Sequence, residues 1–347
     1  MLKNFVLICA VILHTTHGFP TKTKYHKSPT VQGILPVSSP AFLPPFPLHG
    51  VAPASFNTAN YPEPWRVPDT QHPEVQAAIR AIDWDYVPRF EPQHVDSAQY
   101  DSMTDEACWW SFTQCTRPKV SYLPDDVKTC PQPGDFGLSF DDGPLLPTHS
   151  QETRLYDFLA SERQTATLFY IGSNIISFPG AVLPALQSGH TLCAHTWSHP
   201  HMTSLSNEEV VAELYWTMRA IKEAAGVTTR CWRPSYGDVD DRVRAIAHQL
   251  GLHTIVWDSD SFDWGVPSAS NNFGGTTTQE DVDGYFESWI EARKQGGEAH
   301  GRIALQHENS DQTIAIAMKW LNRLKGVFRV QKIHDCEPRL PSPYWEA

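Results

Sequence analysis

From Cys108 onward, short apolar runs alternate with amphipathic segments, and this alternation restricts the chain to few folds. Strands that alternate with helices build a parallel sheet, either open or closed into a barrel. We therefore predict an α/β fold whose functional groups gather at the C-terminal ends of the strands. The runs predicted as strands are 136–140, 166–171, 191–194, 231–233, 253–257 and 302–306.

The clearest predicted helix covers residues 206–225. Ser206 and Glu209 form a capping box at its start, which satisfies backbone donors that a helix leaves unpaired. A second helix is predicted over 240–250, and a further short helix over 73–83 within a proline-rich region.

Segment composition divides the 347 residues into four parts. Residues 1–18 have the charged, apolar and small-residue order of a secretory signal peptide, and their apolar run is too short to span a bilayer. Residues 19–105 form a proline-rich N-terminal extension that we expect to be partly disordered. We predict a catalytic domain over 106–336 and a C-terminal tail over 337–347 without a lipid-anchor signal. A secreted protein, extracellular or associated with a cell wall, is expected.

The formal net charge of −12 excludes the partners that need a basic surface. Nucleic acid and anionic lipid both bind through clustered lysine and arginine, so we expect neither as a partner. A neutral or cationic polymer is compatible with this charge.

One of the seven cysteines, Cys9, lies in the predicted signal peptide, and an even number remains. In an exported chain this indicates disulfides, although six cysteines allow 15 pairings. For Cys193 and Cys231, which lie in predicted strands, we favour buried free thiols over a disulfide because free cysteine packs as a small apolar residue. The six are Cys108, Cys115, Cys130, Cys193, Cys231 and Cys336.

Two adjacent carboxylates, Asp141 and Asp142, follow the first predicted strand and precede Gly143 and Pro144. An acidic turn would explain this composition. Adjacent residues at a strand end point in different directions, so the two carboxylates could instead have two different roles.

His195 and His199 directly follow the predicted strand 191–194. Histidines at this spacing are often surface residues, but together with Asp142 they would supply three metal ligands and leave positions open, as in catalytic zinc sites. The same ligand set could hold Fe(II) for oxygen chemistry. The second carboxylate, Asp141, favours hydrolysis, because water activated by a metal needs a base beside it.

Three further motifs follow, at 233–237, 260–264 and 303–308, and each alone has an ordinary structural explanation. Together and in this order, the five motifs resemble those of the NodB-like polysaccharide deacetylases, carbohydrate esterase family 4, and are most similar to fungal chitin deacetylases. The resemblance covers about residues 130–330. It implies a distorted (β/α) barrel with fewer than eight strands.

The resemblance also implies a role for each site residue. Asp142, His195 and His199 would bind a divalent metal, which is usually zinc; another divalent ion such as cobalt is the alternative. Asp141 would be the general base, kept anionic by Arg233.

By the same resemblance, His307 would be the general acid, held by Asp263. The backbone N–H of Tyr236 would stabilise the oxyanion, and Trp264 and Leu305 would line the acetyl pocket.

The activity implied is metal-dependent N-deacetylation of N-acetylglucosamine polymers, above all chitin, to chitosan and acetate. Two alternatives stay open: a non-catalytic carbohydrate-binding protein on the same fold, and a deacetylase of chitosan oligomers, peptidoglycan or acetylxylan. Ser235 and Glu308 depart from the family pattern. Loops 144–150, 236–240 and 265–278 are candidates for shaping the substrate cleft.

Overall fold

A computed structural model describes residues 56–96, 98–145, 153–267 and 275–346. The predicted signal peptide, the extension before residue 56 and parts of the candidate loops 144–150 and 265–278 lie outside these residues.

The strands of the described residues are short, and most of their positions are buried. They are β1 Asp135–Gly137, β2 Ser139–Gly143, β3 Thr167–Tyr170, β4 Thr191–Ala194, β5 Cys231–Trp232, β6 His253–Thr254, β7 Ser259–Asp260, β8 Arg302–Leu305 and β9 Arg329–Gln331.

Helices precede, separate and follow these strands. They are α1 Pro73–Ala81, α2 Trp110–Thr113, α3 Thr153–Ser161, α4 Gly172–Ser177, α5 Val182–Gln187, α6 Asn207–Ala225, α7 Asp241–Gln249, α8 Gln279–Gln295, α9 Asp311–Lys325 and α10 Ile333–Cys336.

The strands form two parallel sheets, with the orders β2-β3-β4-β5-β6 and β7-β8-β1-β9. A parallel bridge between Asp141 and His307 connects β2 to the residues that follow β8, and so joins the two sheets. Both faces of such a sheet are covered, which explains why β3 and β4 are buried at every position. The predicted α/β fold of the distorted barrel type is confirmed, but the described residues form nine short strands, more than the fewer than eight that were expected.

The first predicted strand, 136–140, is wrong as a single element. The chain forms two strands there: β1 pairs with β8 and β9, while β2 pairs with β3. Apolar composition cannot distinguish one continuous strand from two that meet at Leu138, because both are buried. Strands β7 and β9 were not predicted.

The predicted helices are confirmed, with ends that differ by at most two residues. Helix α6 has the expected capping box of Ser206 and Glu209 and ends at Gly226 in the left-handed conformation. In α7, the side chain of Asp240 caps the N-terminus by accepting from the N–H of Val243.

The six cysteines form three disulfides in the structure. They are Cys108–Cys115, Cys130–Cys336 and Cys193–Cys231. The prediction of free thiols at Cys193 and Cys231 is therefore wrong. Parallel pairing of Ala194 with Trp232 places these two cysteines on adjacent strands with their Cα atoms 5.0 Å apart, within disulfide reach.

The described part of the N-terminal extension packs on the barrel. Val75 and Ala78 of α1 are fully buried in the main core, and α1 lies against α6. Within the described residues, no helix combines the length and the apolar character that crossing a bilayer requires.

Candidate active site

The two carboxylates at the end of β2 both reach the same histidine. Asp141 Oδ2 lies 3.8 Å and Asp142 Oδ1 3.4 Å from His195 Nε2. Regular strand alternation would send them to opposite faces. The pairing of β2 with β3 shifts between Asp141 and Gly143, and Asp142 has a φ of 72°, so the chain bulges and turns the second carboxylate toward the first.

Asp142, His195 and His199 form a compact set that could hold a metal ion. Their candidate ligand atoms all lie within 4.8 Å of one another, and Asp142 Oδ1 is 3.3 Å from His199 Nε2. His195 Nδ1 lies 2.7 Å from the carbonyl oxygen of Arg233, which can only accept. That contact assigns the proton of His195 to Nδ1 and directs the Nε2 lone pair toward Asp142.

The charges of this set also suit a cation. Burial lowers the pKa of His199 to about 4, so its imidazole is neutral and able to ligate at neutral pH. Burial alone would raise the pKa of Asp142, but the surrounding histidines, which include the protonated His307, outweigh burial and lower it well below its usual range. Asp142 Oδ1 is buried without a hydrogen-bond partner among the described residues, as expected of an atom that ligates a metal.

Residues 195–199, which carry both histidines and are called the histidine loop below, are held in place by a buried acid that the sequence did not indicate. Glu213 of α6 accepts hydrogen bonds from the N–H groups of Trp197 and Ser198 at 2.7 and 2.9 Å, and from the Ser198 hydroxyl at 2.5 Å. Thr196 and His199 both have positive φ, of 65° and 59°. Glu213 therefore stabilises an unfavourable loop conformation that places both histidines beside Asp142.

Two asparagines position Asp142, and neither was predicted. Asn309 Nδ2 donates to Asp142 Oδ2 at 2.8 Å, and Asn174 Nδ2 donates to its carbonyl oxygen at 2.7 Å. Asn309 follows the predicted motif at 303–308, and that proximity is the only signal in the sequence that could have indicated it.

A second group of possible ligands, Asp105, Cys108 and Cys115, also lies within ligand distance. Its two cysteines are bonded to each other, so neither offers a thiolate to a metal.

Asp141 forms a buried ion pair with Arg233. Arg233 Nη1 lies 2.7 Å from Asp141 Oδ1 and 3.0 Å from Ser139 Oγ, and both charged residues are at most 2% exposed. The guanidinium also lies 4.0 Å from the centre of the Phe169 ring. Because Arg233 occupies Oδ1, the other oxygen of Asp141 faces the histidine loop.

His307 and Asp263 form the second ion pair. His307 Nδ1 lies 2.7 Å from Asp263 Oδ1, and the His307 N–H donates to Asp263 Oδ2 at 2.8 Å. Burial alone would lower the pKa of His307, but the charge and hydrogen bond of Asp263 raise it to about 10. His307 is therefore protonated at neutral pH.

The predicted substrate-binding residues differ in exposure. Tyr236 is 55% exposed and Trp264 47%, whereas Leu305 is buried. The Tyr236 ring centre lies 4.5 Å from that of His199. Tyr236 has a φ of 59° and lies in a turn. Ser235, one of the two departures from the family pattern, stabilises this turn because its hydroxyl donates to the Pro200 carbonyl.

Glu308, the other departure from the family pattern, lies in a buried polar cluster. Its Oε2 accepts from the Tyr156 hydroxyl at 2.6 Å, and Tyr156 contacts the Tyr170 hydroxyl at 2.9 Å. Burial raises the pKa of Glu308 to about 8.

Comparisons with known proteins identify the family. A family profile described as polysaccharide deacetylase matches residues 128–255. The chain is 37% identical over 304 residues to a chitin deacetylase from Amylomyces rouxii, covering 84% of this chain and 69% of that protein. It is 43% identical over 229 residues to chitin deacetylase 2 of Cryptococcus neoformans var. grubii, covering 65% of this chain and 48% of that protein.

The fold has a counterpart among solved structures. The chitin deacetylase from Colletotrichum lindemuthianum aligns with a TM-score of 0.55 at 24% identity, covering 65% of this chain and 97% of that one. At this identity the likeness concerns the fold alone.

The chain belongs to the polysaccharide deacetylase family, and is thus a hydrolase of the kind that acts on amide bonds. The curated relatives named above are chitin deacetylases. This chain spans about two thirds of the length of the Amylomyces rouxii protein and about half of the length of the Cryptococcus neoformans protein.

Proposed function

We propose that this protein removes acetyl groups from N-acetylglucosamine polymers, with chitin as the substrate and chitosan and acetate as products. The observation that carries this proposal is the pair of buried ion pairs, Asp141–Arg233 and His307–Asp263, beside one three-residue ligand set. Hydrolysis of an amide needs both a base and an acid, and these pairs supply one of each. The names of the curated relatives support chitin as the polymer.

Asp142, His195 and His199 would hold a divalent metal, which we propose to be zinc or an ion such as cobalt. Two imidazoles and one carboxylate are ligands that zinc accepts, and three protein ligands leave a position open. Such an ion lowers the pKa of water and polarises a carbonyl oxygen.

Asp141 is the proposed general base. Arg233 donates to its Oδ1 and balances the charge of the carboxylate, which leaves Oδ2 to accept the proton of the attacking water. The rigid guanidinium, enclosed by Ser139 and Phe169, would keep that oxygen oriented through the reaction.

His307 is the proposed general acid. Asp263 holds Nδ1, so the proton available to the leaving amine is on Nε2. An amine leaves poorly as an anion, so protonation of the nitrogen as the C–N bond breaks lowers the barrier.

The backbone N–H of Tyr236 is the proposed donor to the developing oxyanion, a contribution typically of about 2.7–4 kcal/mol. Trp264 and Leu305 are the proposed walls of the acetyl pocket. The left-handed turn at Tyr236 supports this role, because unfavourable backbone conformations concentrate at functional sites.

A non-catalytic carbohydrate-binding protein would have no use for both ion pairs. Burial of Asp141 and Arg233 is energetically unfavourable unless they form a pair, and recognition of a neutral sugar does not require it. The intact base and acid therefore favour catalysis. Chitosan oligomers, peptidoglycan and acetylxylan remain alternative substrates for the same chemistry.

Acetate release from chitin oligomers, measured with and without a chelator, tests the proposal. We expect activity to be lost with chelator and restored by zinc, and Asp141→Asn to abolish it while metal is still bound. Asp335→Asn, which changes an acid of α10 outside the described site, is the control. Full activity of Asp141→Asn would refute Asp141 as the base.

We also propose that the protein is exported. The three disulfides are typical of an oxidising compartment, and the predicted signal peptide would direct the chain there. Cleavage near residue 18, read by N-terminal sequencing of secreted protein, would test this.

A further inference from the structure

We propose that the N-terminal segment 56–65, which lies outside the part matched by the family profile, completes the substrate cleft, with Trp65 as a stacking platform for one sugar unit of the polymer. This inference rests on the proposed function.

The segment is anchored on the histidine loop itself. Tyr61 stacks on Trp197 with the ring planes 3° apart and the ring centres separated by 5.9 Å. The indole N–H of Trp197 donates to the carbonyl of Glu63 at 3.3 Å. Trp197 lies between the proposed ligands His195 and His199 and is fully buried. The segment therefore packs directly against the loop that carries both histidines.

Trp65 is linked to the proposed metal ligand Asp142 through Ser173 and Asn174, two adjacent residues of α4. Its N–H donates to Ser173 Oγ at 2.8 Å, and that hydroxyl donates to the Trp197 carbonyl at 2.5 Å. The next residue, Asn174, donates to the carbonyl of Asp142 at 2.7 Å. Trp65 is thus positioned at the same end of the barrel as the candidate site.

Two properties of Trp65 are unusual for a residue so well anchored. The residue is 53% exposed, although a large aromatic residue gains most from burial. Its φ is 63°, a left-handed conformation that a bulky residue rarely adopts. Unfavourable backbone that presents an exposed aromatic ring next to a site is typical of a binding residue.

A sugar ring is the occupant that fits. The proposed substrate is a neutral chain of pyranose rings whose C–H faces stack on aromatic rings, and it must extend beyond the site in at least one direction. Trp264, the other exposed tryptophan proposed for the site, follows Asp263 in the sequence and so lies on the side of the proposed general acid His307. Trp65 lies on the side of the histidine loop. The two would contact different units of one bound polymer.

Kinetics on N-acetylglucosamine oligomers, from dimer to hexamer, test the platform in the full-length protein. Replacing Trp65→Ala should raise KM for the hexamer roughly 3- to 10-fold, with a smaller effect on the dimer and kcat unchanged. Trp65→Phe, which keeps a ring, should recover most of the loss. Val67→Ala, a change at an exposed apolar residue just after this segment, is the matched control and should leave KM unchanged.

Two results would overturn the inference. One is a KM for Trp65→Ala within about twofold of the Val67→Ala value at every chain length. The other is an equal loss of kcat for all lengths together with weaker zinc binding in a chelator competition, which would make Trp65 a structural support of the loop. If the wild type releases no acetate, the proposed function fails. Calorimetry of hexamer binding to the wild type and to Trp65→Ala would still show whether Trp65 stacks against the polymer.

Discussion

Asp141 and His307, the proposed base and acid, pair through their backbones. The N–H of Asp141 donates to the Gln306 carbonyl at 2.9 Å, and the Asp141 carbonyl accepts from the N–H of Glu308 at 3.1 Å. Both side chains therefore extend from the bridge that joins the two sheets. Because a rigid element holds each of them, a change in one side chain should leave the other in place.

The first prediction concerns the alkaline limit of activity. Asp263 raises the pKa of His307 to about 10, so the acid form persists well above neutral pH and is lost only as pH rises through that value. Asp263→Asn removes the anion and should move the alkaline limb of the kcat/KM profile to lower pH. Asp260→Asn, which changes a nearby acid that does not bond to His307, should shift it less. A lower plateau with an unshifted limb would contradict this role of Asp263.

The second prediction concerns metal affinity. Asn309→Ala removes the donor to Asp142 Oδ2, and loss of such a supporting hydrogen bond typically lowers metal affinity about 10–100-fold. Competition with a zinc chelator measures the change directly. Asn322→Ala, at an exposed position of α9, is the control. Unchanged zinc affinity in Asn309→Ala would show that the hydrogen bond does not orient the ligand.

The third prediction concerns the pH dependence of stability. Burial raises the pKa of Glu213 to about 7, so the folded state keeps a proton that the unfolded chain loses near its ordinary value. The contribution of protonated Glu213 to the free energy of unfolding is fully present below the pKa that this residue has in the unfolded chain. It is lost as pH rises through that value to about 7, by up to about 3 kcal/mol. Glu213→Gln retains the acceptor but cannot ionise.

Urea unfolding of the metal-free protein at pH 5 and pH 8 measures this effect. The free energy of unfolding of Glu213→Gln minus that of the wild type should be larger at pH 8 than at pH 5. Glu208→Gln removes an acid from the exposed first turn of α6 and controls for net charge. A stability difference that is equal at both pH values would contradict the raised pKa.

The fourth prediction compares two disulfides. Cys130–Cys336 closes a separation of 206 residues and Cys108–Cys115 one of 7. In the chain-entropy account, removing the first by a double Cys→Ser change should lower the free energy of unfolding by about 5 kcal/mol, and removing the second by about 2 kcal/mol. Denaturant unfolding of the two double variants checks the order. Equal losses would show that chain entropy does not set these contributions.

Local features were readable from the sequence because their causes are local. The ends of α6 follow from Ser206, Glu209 and Gly226, which act within one turn of their own backbone. The strand 191–194 was predicted with its observed limits because a short buried run is bounded by its flanking residues.

Other features depend on which segments become neighbours. No pattern near Glu213 marks it as the acceptor for the histidine loop, since the partners lie on a separate element. The Cys193–Cys231 disulfide likewise depends on β4 and β5 being adjacent, which composition does not specify.

The sequence by itself determined the α/β class, the helices and the acids and imidazoles available for chemistry, because hydrophobic periodicity and capping act over a few residues. Only the tertiary structure decided that Asp141 and Asp142 both face His195, and that the segment containing Trp65 packs against the histidine loop. Such convergence depends on a bulge, on strand register and on packing between distant segments, where a shift of one residue would turn a side chain to the opposite face.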